Sequence, residues 1–432
     1  MNEIKVFRDA LYGYVKVEEK LIWDLIQTKE FQRLRRIHQL GGTSMVYHTA
    51  EHSRFSHSLG VYEVARRLIY EVNQIRTTLS KRERLITLCA ALLHDLGHGP
   101  FSHAFEDVFG TNHEAYTVKI ILGDTEINHV LESYQRGLAH QVASIINKKC
   151  YKKDCHLEEC NHSIMINLIS SQLDADRLDY LQRDAYNTGA TYGEIDLDRI
   201  IRSILVVDRK IAYKYSSMHA IENYLMSRYH MYWQVYYHPV SISHEILLIK
   251  IFKRIKVLLD QNYIFKVDME LIKKLINNQI SLEEYLDLDE VWMSFYFKMW
   301  MKEKDATLSD LCNRFINRKL FKYINCQNSE ELVSNYELLK SLLIKYNIDS
   351  EYYLHKDTLS KEAYHYYNDE VFNNSPILLL YRDELIEIAE LSHIVKGIKD
   401  VGVKVDYKIY YPKELVDQLN ENDKTQFDLI NR

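Results

Sequence analysis

Apolar positions along this chain recur mostly at helical spacing, three or four residues apart, with short strand-like runs near its start and in its last sixty residues. Residues 19–27, 29–40, 58–75, 81–93, 164–184 and 220–237 each carry an apolar stripe long enough to predict a helix. The last of these is thick with aromatic residues, and tyrosines in such a stripe are more often packing than chemistry. Residues 4–7 and 14–17 alternate around a turn near Gly13, which predicts a short hairpin. Beyond residue 280 the pattern is again helical, followed by two strand-like runs at 376–381 and 401–410. The chain shows no internal repeat and no low-complexity linker.

Composition sharpens this picture. Only 13 Gly and 4 Pro among 432 residues leave little turn-forming material, so a mainly α protein is expected. The formal net charge of −6 argues against a general nucleic-acid coat, although arginines can still gather in one pocket. No apolar run approaches the ~18–20 residues of a membrane span, and the first residues lack the apolar core of a signal peptide. A cytoplasmic protein without membrane contact is therefore expected. Six cysteines are too few for a disulfide scaffold. Three of them cluster with two histidines as Cys150, Cys155, His156, Cys160 and His162, a set that could hold a separate structural zinc. No Cys-x-x-Cys pair is present, and a charged loop of reduced thiols is the favoured reading.

The densest chemistry lies in His94-Asp95-Leu96-Gly97-His98-Gly99-Pro100-Phe101-Ser102-His103. The apolar run before it reads as a helix that the glycines and proline end, so the His-Asp pair faces a loop. Imidazole beside carboxylate is the mixed nitrogen and oxygen donor set of a divalent cation. One such dipeptide means little, but it has company. Arg54-Phe55-Ser56-His57 precedes it, His113-Glu114 follows, and Asp174-Ala175-Asp176-Arg177-Leu178-Asp179-Tyr180 leads to Asp184. Asp176, Tyr180 and Asp184 stand at i, i+4 and i+8 and so line one helical face.

At these residues the chain resembles the HD-domain phosphohydrolase superfamily, and within it the deoxynucleoside triphosphate triphosphohydrolases. The resemblance is dense from about Phe31 to Asp184 and thinner through Arg228 and Tyr236 to His238. It implies a helical phosphohydrolase core over residues 1–270, with metal motifs at 54–184, a short N-terminal hairpin and a small α+β C-terminal region. Residues 271–432 would then serve assembly or regulation. It also implies His57, His94, Asp95 and Asp176 as ligands of one divalent metal: manganese, iron or magnesium, with zinc or nickel compatible. Arg54, Arg177 and Arg228 would clamp phosphate, His98 and His103 would touch the α-phosphate, and His113 would protonate the leaving oxygen with Glu114 orienting it.

The resemblance extends to the sugar. Gln39 and Asp184 match residues that hold a 3′-hydroxyl, while Leu40 and Tyr236 match those that crowd the 2′ carbon and Tyr180 lies beside the ring. The expected reaction cleaves between the 5′-oxygen and the α-phosphorus, giving deoxynucleoside and inorganic triphosphate. Some relatives are nucleotide-activated tetramers, so a dimer or tetramer is expected. Lys5, Gln32, Arg35, Arg199 and Lys214 resemble parts of the regulatory nucleotide site. Gln27 stands where guanine-selective relatives carry Asp, which argues against guanine-specific activation. Two other classes compete: an HD hydrolase acting on alarmones, cyclic dinucleotides or single-stranded nucleic acid, and a nucleotide sensor that has lost turnover. The intact ligand quartet argues against the second.

Overall fold

A computed structural model describes residues 4–148, 159–361, 376–401 and 404–431. The chain is mainly α-helical, with three small sheets among the described residues. The expected hairpin pairs Lys5–Asp9 with Gly13–Val17, antiparallel, from Lys5 opposite Val17 to Asp9 opposite Gly13. Its turn needs a positive φ, which Gly13 supplies at +71°. Asp9 closes the turn by accepting from the backbone N–H groups of Leu11 and Tyr12. Val15 and Val17 point inward and seat the hairpin on the helices.

Several helices are shorter than their apolar stripes, because local hydrogen bonds compete with continuation. The 29–40 stripe is helical only over Lys29–Arg33, tightens to a 3₁₀ turn at Leu34–Arg36, and is extended at Ile37. This break frees residues 37–39 to run antiparallel to 52–54, with Gln39 N donating to His52 O and Arg54 N donating to Ile37 O, both at 2.9 Å. The 58–75 stripe starts earlier, as Arg54–Glu71, and resumes as Asn73–Thr78 after an extended Val72. The 164–184 stripe is two helices, Glu159–Ile169 and Ala175–Thr188. Asp174 makes the break: its carboxylate accepts from the N–H groups of Arg177 and Ser171, both at 2.7 Å, and caps the second helix. The aromatic stripe is helical over Met218–Met231 and then widens into a π turn at Tyr232–Tyr236.

One apolar core unites the hairpin, most of the helices from Lys20–Gln27 to Met218–Met231, and a late segment including Ile377, Leu379 and Val395. Leu378–Tyr381 lies parallel to Lys210–Lys214 and joins the late segment to the core. A second core gathers Phe252, Phe297 and Trp300 around Phe105 and Phe109, which lie on the helix His103–Phe109 just after the His-Asp motif. Arg33 is buried between the two cores, donating to His98 O (2.8 Å) and to Leu288 O (2.6 and 3.0 Å). Tyr285 adds a 2.7 Å bond to Gly97 O. A third core lies under the sheet of Lys322–Cys326, Lys404–Tyr411 and His355–Lys361. Of the cysteine-histidine cluster, Cys150, Cys155 and His156 and the side chain of Cys160 lie outside the described residues. His162 is buried on Glu159–Ile169.

Candidate active site

Three helix ends converge. His57 is in the first turn of Arg54–Glu71, His94 closes Lys81–Leu93, and Asp176 is in the first turn of Ala175–Thr188. A serine capping box at Ser80 and Glu83 fixes the start of the second helix, and Asp174 fixes that of the third. One ligand atom each from His57, His94 and Asp176 lies within 4.8 Å of the others. Asp176 Oδ1 is 3.1 Å from His57 Nε2 and 3.6 Å from His94 Nε2, and Asp95 Oδ1 is 3.3 Å from His94 Nε2.

The hydrogen bonds on the far side of each ring fix what faces this cluster. His94 Nδ1 is 2.9 Å from Ala91 O, a carbonyl that can only accept, so Nδ1 carries the proton. His57 Nδ1 is 2.8 Å from Asp179 Oδ2, a carboxylate that likewise only accepts. With Nδ1 so engaged, Nε2 of each ring faces carboxylate oxygens and must meet them with a proton or with a lone pair on a shared cation. The electrostatics show the same demand. Burial disfavours charge on His57, yet Asp176 and Asp179 raise its pKa to about 10. Burial opposes ionisation of Asp176 too, but His57 and His94 hold its carboxyl below the usual value. The donors fit a divalent metal with mixed imidazole and carboxylate ligands.

Asp95 also meets Arg54, which pairs with its Oδ2 and donates to Ser102 Oγ through Nε (3.1 Å) and Nη2 (2.7 Å). His98 Nε2 is 3.4 Å from Asp95 Oδ1, and the His98 ring stacks on His113 at 4.0 Å. Burial first, and then the Arg54 charge, push His98 far below its ordinary pKa, leaving it neutral. His113 is held by Glu106, whose Oε1 is 2.9 Å from Nδ1 and 2.5 Å from the backbone N of the same residue. Glu114 is exposed, so the carboxylate on His113 comes from the preceding helix. His103 begins that helix; its side chain is not among those described.

Two turns further along Ala175–Thr188 the surroundings change character. Asp184 is buried and accepts from Tyr236 OH at 2.7 Å and from His52 Nε2 at 2.8 Å. The Tyr180 and Tyr236 rings meet edge to face at 6.2 Å. Leu40 and Tyr236 are half-buried against the first core, and Gln39 Oε1 is buried without a hydrogen-bond partner among the described residues. Arg228 is buried, and its Nε and Nη1, like Arg177 Nη1, have no partner there either. Of the regulatory candidates, Arg35, Arg199 and Lys214 are exposed, and Lys5 and Gln32 are half-buried. Arg35 donates to Gln32 Oε1 at 2.8 Å, Arg199 donates to Ser216 O at 2.6 Å, Lys214 is exposed, and Lys5 opens the first strand.

Asp179, Arg183, Glu106 and His52 escaped sequence reasoning. Asp179 and Arg183 form an i, i+4 pair within the motif already singled out, and that spacing was the available signal.

Comparison with known proteins agrees with this construction. A family model described as HD domain matches residues 54–184, and one described as HD associated region matches residues 195–432. The chain belongs to the HD-domain family, carries its associated region, and has the fold of a metal-dependent phosphohydrolase. It is 48% identical to the uncharacterized protein YwfO of Bacillus subtilis, over 96% of this chain and 94% of that one. The deoxynucleoside triphosphate triphosphohydrolase SAMHD1 homolog of Dictyostelium discoideum is 34% identical over 56% of this chain and 48% of its own length. The crystal structure of a phosphohydrolase from Bacteroides thetaiotaomicron superposes with a TM-score of 0.79 at 29% identity, covering 95% of this chain and all (100%) of that chain. Among the described residues no helix is long and apolar enough to cross a membrane.

Proposed function

We propose that this protein hydrolyses deoxynucleoside triphosphates to deoxynucleoside and inorganic triphosphate. The observation that carries the reading is polarity. One helix sets a cation-demanding cluster and a half-buried arginine, Arg177, whose buried Nη1 has no partner among the described residues, at its N-terminal end and a buried hydroxyl acceptor, Asp184, two turns later. Guanidinium N–H groups left without partners inside a protein are costly unless an anion meets them. Arg177 and Arg228 therefore recognise a polyanion, while Asp184 recognises a donor. A deoxynucleotide offers both, and the similarity to the Dictyostelium triphosphohydrolase supports it.

His57, His94, Asp95 and Asp176 would hold the divalent metal, with Asp179 and the Ala91 carbonyl orienting the two rings. When bound, such an ion supplies Lewis-acid polarisation and charge neutralisation at the phosphoryl group. Arg54, Arg177, Arg228 and neutral His98, with His103, hold the triphosphate in line for attack by water on the α-phosphorus. As the bond to the 5′-oxygen breaks, His113 delivers a proton to that oxygen, and Glu106 fixes the ring for the transfer. Leu40 and Tyr236 wall the 2′ position, where a ribose hydroxyl meets no partner. A nucleotide activator at the set of Lys5, Gln32, Arg35, Arg199 and Lys214, and a homodimer or homotetramer built with residues 271–432, complete the reading.

A substrate panel tests it. Each deoxynucleotide and ribonucleotide triphosphate is supplied with manganese or magnesium, singly and in pairs, beside an alarmone, a cyclic dinucleotide and single-stranded DNA. Turnover of deoxynucleotides above all others is expected. Turnover confined to alarmones, cyclic dinucleotides or DNA overturns the assignment.

A further inference from the structure

The carboxylate of Asp184 has a second protein partner that the resemblance does not assign. His52 Nε2 lies 2.8 Å from Asp184 Oδ1, with the histidine side chain 6% exposed and the aspartate 2%. Since a carboxylate only accepts, His52 donates through Nε2. Its Nδ1 is buried with no partner among the described residues, which suits the bare lone pair of that tautomer better than an N–H. Tyr236 OH occupies the other oxygen at 2.7 Å. One donor on each oxygen fixes the plane of the carboxylate, and a carboxylate has about four lone-pair sites, so acceptor capacity remains on both oxygens.

The backbone places this histidine for the task. His52 O accepts from Gln39 N at 2.9 Å, within the antiparallel pairing created when the 29–40 stripe breaks. Gln39, with its unpartnered buried Oε1, and His52 are thus adjacent on one ribbon, and that ribbon reaches the helix carrying Asp184. Arg54 stands two residues beyond His52, so the ribbon connects the hydroxyl end of the pocket to the phosphate end.

On the reading that the substrate is a deoxynucleoside triphosphate, we infer that His52 is a positioning residue that locks Asp184 as the acceptor of the sugar 3′-hydroxyl and so sets discrimination against nucleotides lacking that hydroxyl. Asp184 cannot swing toward Tyr236 alone while His52 holds Oδ1. With the lock removed, the carboxylate turns, and the gain from a 3′-hydroxyl falls while the phosphate end is untouched.

The test compares deoxynucleoside and 2′,3′-dideoxynucleoside triphosphates on the wild type, His52→Gln and His52→Asn, each checked for metal content and thermal unfolding. The Gln amide nitrogen reaches roughly where Nε2 sits; the shorter Asn amide does not. A site built to bond a hydroxyl rejects the analogue lacking it strongly, so the wild type prefers the 3′-hydroxyl by on the order of 10²-fold or more in kcat/KM. The expected result is that His52→Asn lowers kcat/KM on the deoxynucleotide at least tenfold, leaves the dideoxynucleotide nearly unchanged, and that His52→Gln restores most of the preference. An equal loss on both substrates, or an unchanged preference in His52→Asn, overturns the inference while the proposed function stands. A wild type that turns over neither substrate removes the functional reading and this inference with it.

Discussion

The Nδ1 of His57 lies 2.8 Å from Asp179 Oδ2, and this contact decides which way the ring presents Nε2. Asp179 is itself fully buried and held by Arg183 (2.9 and 3.0 Å) and by Tyr12 OH (2.8 Å). Burial raises its pKa, but Arg183 and His57 outweigh that and hold it at about 2. Asp179→Asn should weaken metal affinity by ~10–100-fold although it removes no ligand. Gly60→Ala should do the same from another helix, because the added carbon would lie 1.9 Å from Asp179 Oδ1 and 2.3 Å from Arg183 Nη2. Metal titration checks both; full affinity in either variant contradicts the arrangement.

On the proposed mechanism His113 and Glu106 serve the proton and not the metal. His113→Ala should keep the metal and lower kcat by about 10²–10⁴-fold, with Glu106→Gln giving a smaller loss of the same kind. Paired metal analysis and steady-state kinetics read the outcome. Retained turnover in His113→Ala would remove it as the acid, whereas loss of metal would make its role structural.

Arg228 should carry a stability cost in the ligand-free protein. A buried cation with two guanidinium nitrogens unpartnered among the described residues costs folding energy that an apolar side chain of similar size does not. Arg228→Met should therefore stabilise the ligand-free protein by about 1–3 kcal/mol in urea unfolding. It should raise KM for the triphosphate on the order of tenfold or more, a lost charge-assisted contact. A destabilised variant with unchanged KM would place Arg228 in the core and not in the pocket.

His244 is buried, stacks on Phe315 at 3.9 Å, and has its pKa lowered by burial to about 3. The folded state binds this proton less readily than the unfolded chain, where histidine titrates near ~6.5. Its contribution is thus complete above about pH 6.5 and is lost progressively as pH falls toward 3. Between pH 7 and pH 5, in chelator, the stability of His244→Leu should fall by about 2 kcal/mol less than that of the wild type. Urea unfolding at the two pH values measures it; parallel losses would contradict the assignment.

What was legible in the chain was local. His94-Asp95 and the glycines after it announce a helix end, and the i, i+4, i+8 spacing of Asp176, Tyr180 and Asp184 announces a polar helical face. The helical class follows from the stripes and the scarcity of Gly and Pro. The supporting shell was not legible, since its partners are distant: His57 and Asp179 are 122 residues apart, and His52 and Asp184 are 132 apart. Helix breaks at Ile37 and Asp174 were hidden because apolar spacing continues through them while capping and extended pairing decide the backbone. The π turn at Tyr232–Tyr236, from which Tyr236 bonds Asp184, has no marker among so many aromatic residues.

The central claim is best tested by the bond that breaks. Phosphorus-31 NMR of a deoxynucleotide digest, with manganese removed before acquisition, distinguishes inorganic triphosphate from pyrophosphate and phosphate. Intact triphosphate appearing in step with deoxynucleoside, and absent from an Asp176→Ala control, is the predicted result. Pyrophosphate with deoxynucleoside monophosphate, or phosphate with the diphosphate, would move the attack off the 5′-oxygen bond and contradict it.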